Sequence, residues 1–376
     1  MRASWRRLAV ALPLAVTVAA SGAAVAGPHA GPQQTRSGVV TLRTTDDAGT
    51  CAATPTARKS ATGAACPTFP LYYAMPKGTP RALVVVFHGH GHNGEQYPAQ
   101  LASIAAEHHV IAVAMGTVEL AADKPSYRGP FDSVDEEARD AAVAIAWARA
   151  KTHSQLKTYL LGVSMGGSGL AYFIDAATRA KAGDRDATWV QSFHPLPLAG
   201  LVDAEGISNL SETWAEASGF DKVAAAEIEL ETGGTPTTAT AAYQARSLAL
   251  LPTSEWKATG LPVVAVIHDV DDGLVPYNQT FEARAAVLAA GISLQGYDIV
   301  FKDSCDQAGQ TTGTATITKA VPGFPTSTTE DALCLAGHAN ENDPTTPVMK
   351  AAMQALATMV NGNISGSETL INTSRP

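Results

Sequence analysis

A serine lies between two glycines in the segment Gly162-Val163-Ser164-Met165-Gly166, directly after the apolar run 159–161. A serine hydroxyl is a weak nucleophile that needs an adjacent base and an unobstructed approach to its target. A tight turn between a strand and a helix presents the hydroxyl in this way, and the glycines let neighbouring backbone pass close by. Backbone N–H groups at the start of the following helix would point toward negative charge developing on oxygen. The motif therefore predicts covalent catalysis by Ser164.

The elements that would position this serine follow from the apolar pattern of the chain. Six short apolar runs rich in β-branched residues lie at 83–87, 110–114, 159–161, 198–202, 263–267 and 297–301. Continuous apolar runs of this length predict strands buried on both faces, as in a parallel sheet. Helical patterns at 135–151, 167–181, 281–290 and 348–360 lie between or after them. The alternation predicts an α/β fold with a doubly wound, mostly parallel sheet.

Two segments differ from this alternation. Residues 27–66 are rich in Thr, Ala, Gly and Pro, and they are predicted to be an irregular segment ahead of a main domain at 67–376. The stretch from about 204 to 260 is longer than one crossover needs and has room for three helices. It is predicted to be a helical cap inserted over the carboxyl edge of the sheet.

The serine turn and the earlier strand that ends in His88-Gly89-His90-Gly91 together resemble the α/β-hydrolase superfamily, over roughly residues 80–360. The resemblance implies the α/β-hydrolase fold and a triad in the chain order serine, acid, histidine. It also implies an oxyanion hole made by the backbone N–H groups of Met165 and His90.

The resemblance places the acid after a later strand. Many hydrolases of this fold carry a His-Gly-x-x-Asp-x-x-Val-Pro pattern there, and the segment from His268 to Pro276 is similar to it, with Asp269 in place of the glycine. This implies Asp272 as the acid. Asp271 is a rival on the same loop, where Asp269 and Asp271 are otherwise interpreted as solvated carboxylates. Asp203 and Glu205, after the preceding strand, are a second rival location.

The base is implied to come last. Downstream of Phe301 the chain contains a single histidine, His338, so a triad in this order must use it. The interval from the acid to this base is longer than usual, and the surplus lies between Cys305 and Cys334.

The chain has four cysteines, an even number that favours disulfides in an exported protein. Three pairings are possible, and Cys51–Cys66 with Cys305–Cys334 is preferred because each bond closes a local loop. A zinc site is the alternative, although no two cysteines have the close spacing of zinc motifs.

The first residues predict export. Arg2, Arg6 and Arg7 precede the apolar stretch 8–20, and small residues at 24–26 offer a cleavage site, so residues 1–26 are predicted to be a signal peptide of a secreted protein. The apolar stretch is shorter than the roughly 20 residues that a membrane anchor needs. Cleavage would move the net charge from −9 to −12, which argues against nucleic acid or an anionic membrane as the main partner.

Two other classes of protein were weighed against the hydrolase. His88, His90 and His92 alternate as in the metal-binding loop of metallo-β-lactamase-like hydrolases, but Asn93-Gly94 stands where that loop has Asp-His. A non-catalytic binding module on a hydrolase fold would be expected to lack a triad member. The sequence therefore predicts a secreted serine hydrolase of small or polymeric carboxylic esters, without metal or cofactor. Peptidase, amidase or acyltransferase activity of the same fold is the alternative.

Overall fold

The computed structural model describes residues 35–43, 68–90, 92–116, 134–182, 198–220, 222–270, 272, 274–275, 277–301, 338 and 343–373. All of them belong to one compact unit, Gln33–Pro376. The predicted signal peptide and all four cysteines lie outside the described residues, so both disulfides and the export signal stay predictions.

The described residues form nine strands in a single sheet. The strands are β1 (Thr35–Arg43), β2 (Thr68–Pro76), β3 (Ala82–Phe87), β4 (Ile111–Met115), β5 (Lys157–Val163), β6 (Leu198–Ala204), β7 (Val263–Asp269), β8 (Ser293–Phe301) and β9 (Ser367–Thr373). Their order across the sheet is β1-β2-β4-β3-β5-β6-β7-β8-β9. In this order the strands from β4 to β9 run parallel to one another, whereas β2 pairs antiparallel with both β1 and β4. The predicted mostly parallel sheet is confirmed.

Helices cover both faces of this sheet. They are α1 (Pro98–His108), α2 (Val134–Thr152), α3 (Gly166–Lys181), α4 (Leu210–Phe220), α5 (Lys222–Thr232), α6 (Thr240–Ala245), α7 (Thr253–Thr259), α8 (Asn278–Ala289) and α9 (Pro347–Val360). Helices α1 and α9 pack with one set of strand side chains, and α2, α3 and α7 pack with the alternate set. Side chains alternate between the faces of a strand, so fully apolar strands such as β3 contribute to both cores.

The sheet order reverses at β3, which lies between β4 and β5. The chain therefore leaves β3 toward one side and later returns to its other side. In open α/β sheets, ligands bind outside the carboxyl ends of the strands at such a reversal. The loops that begin at His88 and Ser164 both start there.

The irregular segment predicted for residues 27–66 is wrong for Thr35–Arg43, which form the edge strand β1. Leu42 is its one buried apolar side chain, so the strand lacks the apolar run of a core strand. Its place depends on a nine-residue antiparallel pairing with β2, and backbone hydrogen bonds leave little trace in residue types.

The stretch from 204 to 260 holds four helices, α4 to α7, where the sequence predicted three. Helices α4 and α5 come directly after the carboxyl end of β6, and α5 reaches the loop after β3 through a contact between Glu227 and His90. Helix α7 packs beside α3 and α8 on one face of the sheet. The first two helices therefore correspond to the predicted cap, and the last one completes the crossover to β7.

Within the described part of the chain, no helix combines the length and the apolar character that crossing a bilayer requires.

Candidate active site

Ser164 occupies the turn between β5 and α3 with a backbone φ of 55°, in the left-handed region that non-glycine residues rarely adopt. Its N–H donates to the carbonyl of Ala204 at 3.1 Å, and its carbonyl accepts from the N–H groups of Gly167 and Ile207, both at 2.9 Å. These bonds fix the turn to the end of the neighbouring strand β6. The side chain is nearly buried, with 6 % of its surface exposed.

The glycines around Ser164 are required by backbone contacts. A Cβ on Gly162 would lie 2.6 Å from the carbonyl oxygen of Gly166, and a Cβ on Gly166 would lie 2.4 Å from that of Phe87. Both neighbours are main-chain atoms that cannot move aside like a side chain. The glycine spacing that the sequence offered is therefore a packing requirement of the turn.

The predicted acid and base lie together. The Nδ1 atom of His338 is 2.8 Å from Oδ2 of Asp272. The other oxygen of Asp272 accepts the backbone N–H groups of Leu274 at 2.7 Å and Val275 at 3.0 Å. A carboxylate can only accept here, so Nδ1 of His338 carries the proton and Nε2 keeps the free lone pair that a general base needs.

Asp272 is ionised although it is buried. Burial alone would raise the pKa of its carboxyl group. His338 and His268 outweigh this through their charges and hydrogen bonds, and they hold that pKa well below its usual range. Nε2 of His268 is 3.2 Å from Oδ2 of Asp272 and 2.8 Å from the carbonyl of Val275. Nδ1 of His268 is 2.6 Å from the Thr280 hydroxyl, which fixes the ring so that Nε2–H faces the acid.

A second carboxylate lies beside the same base. Oε2 of Glu205, directly after β6, is 3.6 Å from Nδ1 of His338, and the side chain is fully buried. Sequence analysis gave Asp203 and Glu205 together as one rival location for the acid, but the two side chains have different partners in the structure. Asp203 accepts a hydrogen bond from the Ser208 hydroxyl at 3.0 Å, and burial raises the pKa of its carboxyl group to about 6.

Two more acids belong to the loop after β7. Asp269 is fully buried at the end of the strand, so its interpretation as a solvated carboxylate is wrong. Its N–H donates to Oε1 of Glu205 at 3.3 Å, which joins the ends of β6 and β7. Asp271 lies outside the described residues.

Met165 and His90 remain predicted oxyanion donors. Met165 caps α3, where the first N–H groups of a helix have no partner inside the helix. His90 lies in a turn closed by a hydrogen bond from the His92 N–H to the Gly89 carbonyl at 3.1 Å. The ring of His90 faces outward, with Nε2 3.1 Å from Glu227 on α5.

The alternating histidines do not converge on one point. His88 is fully buried, its backbone N–H donates to Oε1 of Glu137 at 2.6 Å, and burial lowers the pKa of its ring to about 4. His90 is half exposed and faces the cap. Among the described residues, these histidines form no group whose ligand atoms could share a metal ion.

The residues with metal-ligand spacing are Glu205, Asp272 and His338, whose donor atoms lie within 4.8 Å of one another. The Nδ1 lone pair that a metal would need is replaced by the proton donated to Asp272, and Oδ1 of Asp272 is used by two backbone donors. The arrangement therefore fits hydrogen bonding better than metal binding.

Comparison with known proteins agrees with this topology. No protein-family model and no curated protein matches the sequence. Among solved structures, carboxyl esterase 2 from the mycorrhizal fungus Tuber melanosporum superposes with a TM-score of 0.53 at 11% identity, over 89% of this chain and 89% of that one. The chain has the α/β-hydrolase fold.

Two other solved structures superpose on this chain with lower TM-scores. A thermostable esterase from Pseudomonas putida has a TM-score of 0.49 at 14% identity, over 89% of this chain and 84% of that one. A structural study of two esterases from Rhizomucor miehei gives 0.49 at 12% identity, over 88% and 84%.

Sequence reasoning missed the role of His268 and did not separate Glu205 from Asp203. His268 opens the pattern that pointed to Asp272, so a signal for it was present. Asp203 lies within β6 and Glu205 directly follows it, and nothing in the sequence indicates which of the two lies beside His338.

Helix α4 carries a buried acid that acts on Asp272. Glu216 on α4 is 3 % exposed, and its Oε2 has no hydrogen-bond partner. Burial, together with the negative charges of Glu212 and Asp272, raises the pKa of its carboxyl group to about 9. Glu216 is therefore protonated at neutral pH.

Replacing Glu216 with glutamine is expected to stabilise the protein in a pH-dependent way. A carboxyl group whose pKa rises on folding costs stability as pH increases from its unfolded value of about 4.5 toward its folded value of about 9. We expect the free energy of unfolding of the Glu216→Gln variant to exceed that of the wild type by about 1–3 kcal/mol at pH 8 and to equal it at pH 4.

Urea denaturation at several pH values measures this difference. The exposed Glu95 provides a control, since its replacement by glutamine should leave the pH dependence of stability between pH 4 and pH 8 unchanged. A Glu216→Gln variant that is less stable than the wild type at pH 8 would contradict the prediction.

Proposed function

We propose that this α/β-hydrolase is a secreted serine hydrolase that cleaves carboxylic esters through an acyl-enzyme intermediate. The observation that carries the proposal is the hydrogen bond of 2.8 Å between His338 and Asp272, two residues 66 positions apart. This pair lies near Ser164 at the carboxyl end of the sheet. The Ser164 N–H donates to the carbonyl of Ala204, and the next residue, Glu205, lies beside His338.

The proposed first step forms the acyl enzyme. The Ser164 oxygen attacks the carbonyl carbon of the ester while its proton passes to Nε2 of His338. The resulting oxyanion accepts hydrogen bonds from the N–H groups of Met165 and His90. Collapse breaks the bond to the alcohol oxygen, which leaves with the proton held by His338.

The second step releases the acid. Water gives a proton to Nε2 of His338 and attacks the acyl carbon, and the Ser164 oxygen recovers that proton as the carboxylic acid departs. Asp272 holds the Nδ1 proton of His338 throughout, and its ionised state favours the imidazolium that forms twice per cycle. None of these steps requires a cofactor.

Two parts of the proposal, the preference for esters and the export of the protein, are each supported by a separate observation. The carboxyl esterase of similar fold favours esters over amides for this chain, although a shared fold does not determine a substrate. Export is supported by the cationic and apolar start of the sequence.

A covalent probe and a substrate panel test the proposed function together. A fluorophosphonate should add one label per chain, on the peptide that contains Ser164. Nitrophenyl esters of increasing acyl length should be hydrolysed with a burst of one equivalent of nitrophenol, and the matching anilides more slowly. No label and no turnover would support a binding module, whereas turnover that a chelator removes would support a metal mechanism; faster anilide cleavage would support an amidase.

A further inference from the structure

We propose that Glu205 is a positioning residue that shares His338 with Asp272, so that the base of this site is held by two carboxylates from neighbouring strands. The proposal rests on the proposed function. Asp272 follows β7 and Glu205 follows β6, and both carboxylates approach the same atom, Nδ1 of His338, at 2.8 and 3.6 Å.

Glu205 is held firmly in this place. It has a φ of 50°, its N–H donates to the carbonyl of Ile267 at 2.8 Å, and its Oε1 accepts from the N–H of Asp269 at 3.3 Å. The next residue, Gly206, has no room for a side chain, since a Cβ there would lie 1.7 Å from Oδ1 of Asp203. A non-glycine residue kept in a left-handed conformation inside a site is a sign of a functional constraint.

The two carboxylates have different tasks. At 2.8 Å, Asp272 accepts the Nδ1 proton and selects the tautomer. At 3.6 Å, Glu205 is too far for a hydrogen bond, so it acts on His338 through its charge. That attraction is small while the imidazole is neutral and large once His338 has taken the proton of Ser164. Glu205 therefore stabilises the state in which the base is charged.

Four other ionisable residues in the described part of the chain lie near Glu205, Asp272 and His338. His268 and Glu216 act on Asp272, Asp269 contacts Glu205, and Asp203 lies near His268. Each of these acts on Asp272, Glu205 or His268. Glu205 and Asp272 are the two carboxylates that lie within 4 Å of Nδ1 of His338 among the described residues.

The test compares Glu205→Gln, Asp272→Ala and the double variant. Glutamine keeps the acceptor for the Asp269 N–H and removes the charge, and its NH₂ group takes the place of Oε2 at 3.6 Å from Nδ1 of His338, beyond hydrogen-bond distance. We expect Glu205→Gln to lower kcat about tenfold with KM unchanged. Because an opposite charge within 4–6 Å favours the protonated imidazole, the acid limb of the kcat/KM profile should move to lower pH by about one unit.

The loss of kcat caused by Glu205→Gln should be larger when Asp272 has also been replaced. In the Asp272→Ala background Glu205 is the remaining carboxylate at Nδ1, and its replacement should cost about a further hundredfold in kcat. Glu282→Gln is the matched control, because this acid on α8 bonds to Asn209 near the same segment. It should leave both kcat and the pH profile unchanged.

A second readout does not depend on ester turnover. The titration of His338, followed by NMR of histidine-labelled protein, should move to lower pH in Glu205→Gln and stay close to the wild type in Glu205→Asp, which keeps the charge. If Glu205→Gln does not fold, Glu205→Gly removes the same charge and adopts the left-handed φ of 50° without strain, and its comparison with Glu205→Asp, which keeps the charge, tests the same effect.

The outcomes separate this inference from the proposed function. If wild-type protein hydrolyses esters and takes the label, but Glu205→Gln leaves the acid limb and the His338 titration in place, Glu205 has only a structural role and the inference is wrong. A loss of kcat without either shift leads to the same conclusion. Wild-type protein that neither labels nor hydrolyses esters would overturn the proposed function, and Glu205 would lose its proposed role with it.

Discussion

Replacing Ser164 with alanine is expected to remove fluorophosphonate labelling and to lower kcat by about 10⁴- to 10⁶-fold, because the covalent intermediate can no longer form. The fold should not change. The turn is held by backbone groups of Ser164, through Ala204 on one side and through Gly167 and Ile207 on the other, and alanine keeps all three bonds. Steady-state kinetics and a melting curve measure the two properties separately.

Ser168 on α3 provides the matched control for this substitution. It is fully buried, and its hydroxyl donates to the carbonyl of Ile207 at 3.2 Å, four positions beyond the nucleophile. The Ser168→Ala variant should take the label normally and lose stability rather than turnover, by about 1 kcal/mol for one hydrogen bond. Labelling that persists in Ser164→Ala would show that another residue is the nucleophile.

The second large effect is expected for Asp272→Asn, with a loss in kcat of about 10⁴-fold. The reason is the backbone fork at Oδ1, which accepts from Leu274 and Val275. Asparagine must place its carbonyl oxygen there, so its NH₂ group takes the position 2.8 Å from Nδ1 of His338. The imidazole would then carry its proton on Nε2 and could not accept one from Ser164.

The alanine variant at the same position separates the tautomer effect from the loss of charge. Asp272→Ala brings no donor to Nδ1, and Glu205 can take over the proton, so the loss should be on the order of 10²-fold. Asparagine is thus expected to be more damaging than alanine, although it is closer in shape to aspartate. The opposite ranking in kcat would contradict the fixed orientation of the amide.

The central strands could be predicted from sequence, whereas the edges could not. The runs 83–87 and 263–267 are buried on both faces, and their residue types record this directly. Strand β9 carries an exposed Leu370 and is held at the edge by its pairing with β8. An edge strand leaves one side in solvent, so hydrogen bonds rather than apolar residues determine its place.

In the candidate active site, too, some residues could be predicted from the sequence and others could not. Ser164 could be identified because its turn requires glycines at fixed spacing, which the sequence records. The pairing of His338 with Asp272 was predicted from an order of residues, and its geometry depends on loops whose paths are not encoded in residue types. Asp203 lies within β6 and Glu205 directly follows it, and the left-handed turn at Glu205 places its carboxylate beside the base.

Ser164 and Glu205 share a conformation that glycine adopts freely and that costs other residues roughly 1–2 kcal/mol each. A laboratory evolution experiment that selects only for survival of heat would therefore favour glycine at both positions. Such a protein would melt later and would have lost its nucleophile and its second carboxylate. Engineering a heat-resistant form of this protein thus has to score the proposed ester turnover in every round and to seek its gains in the helices and edge strands.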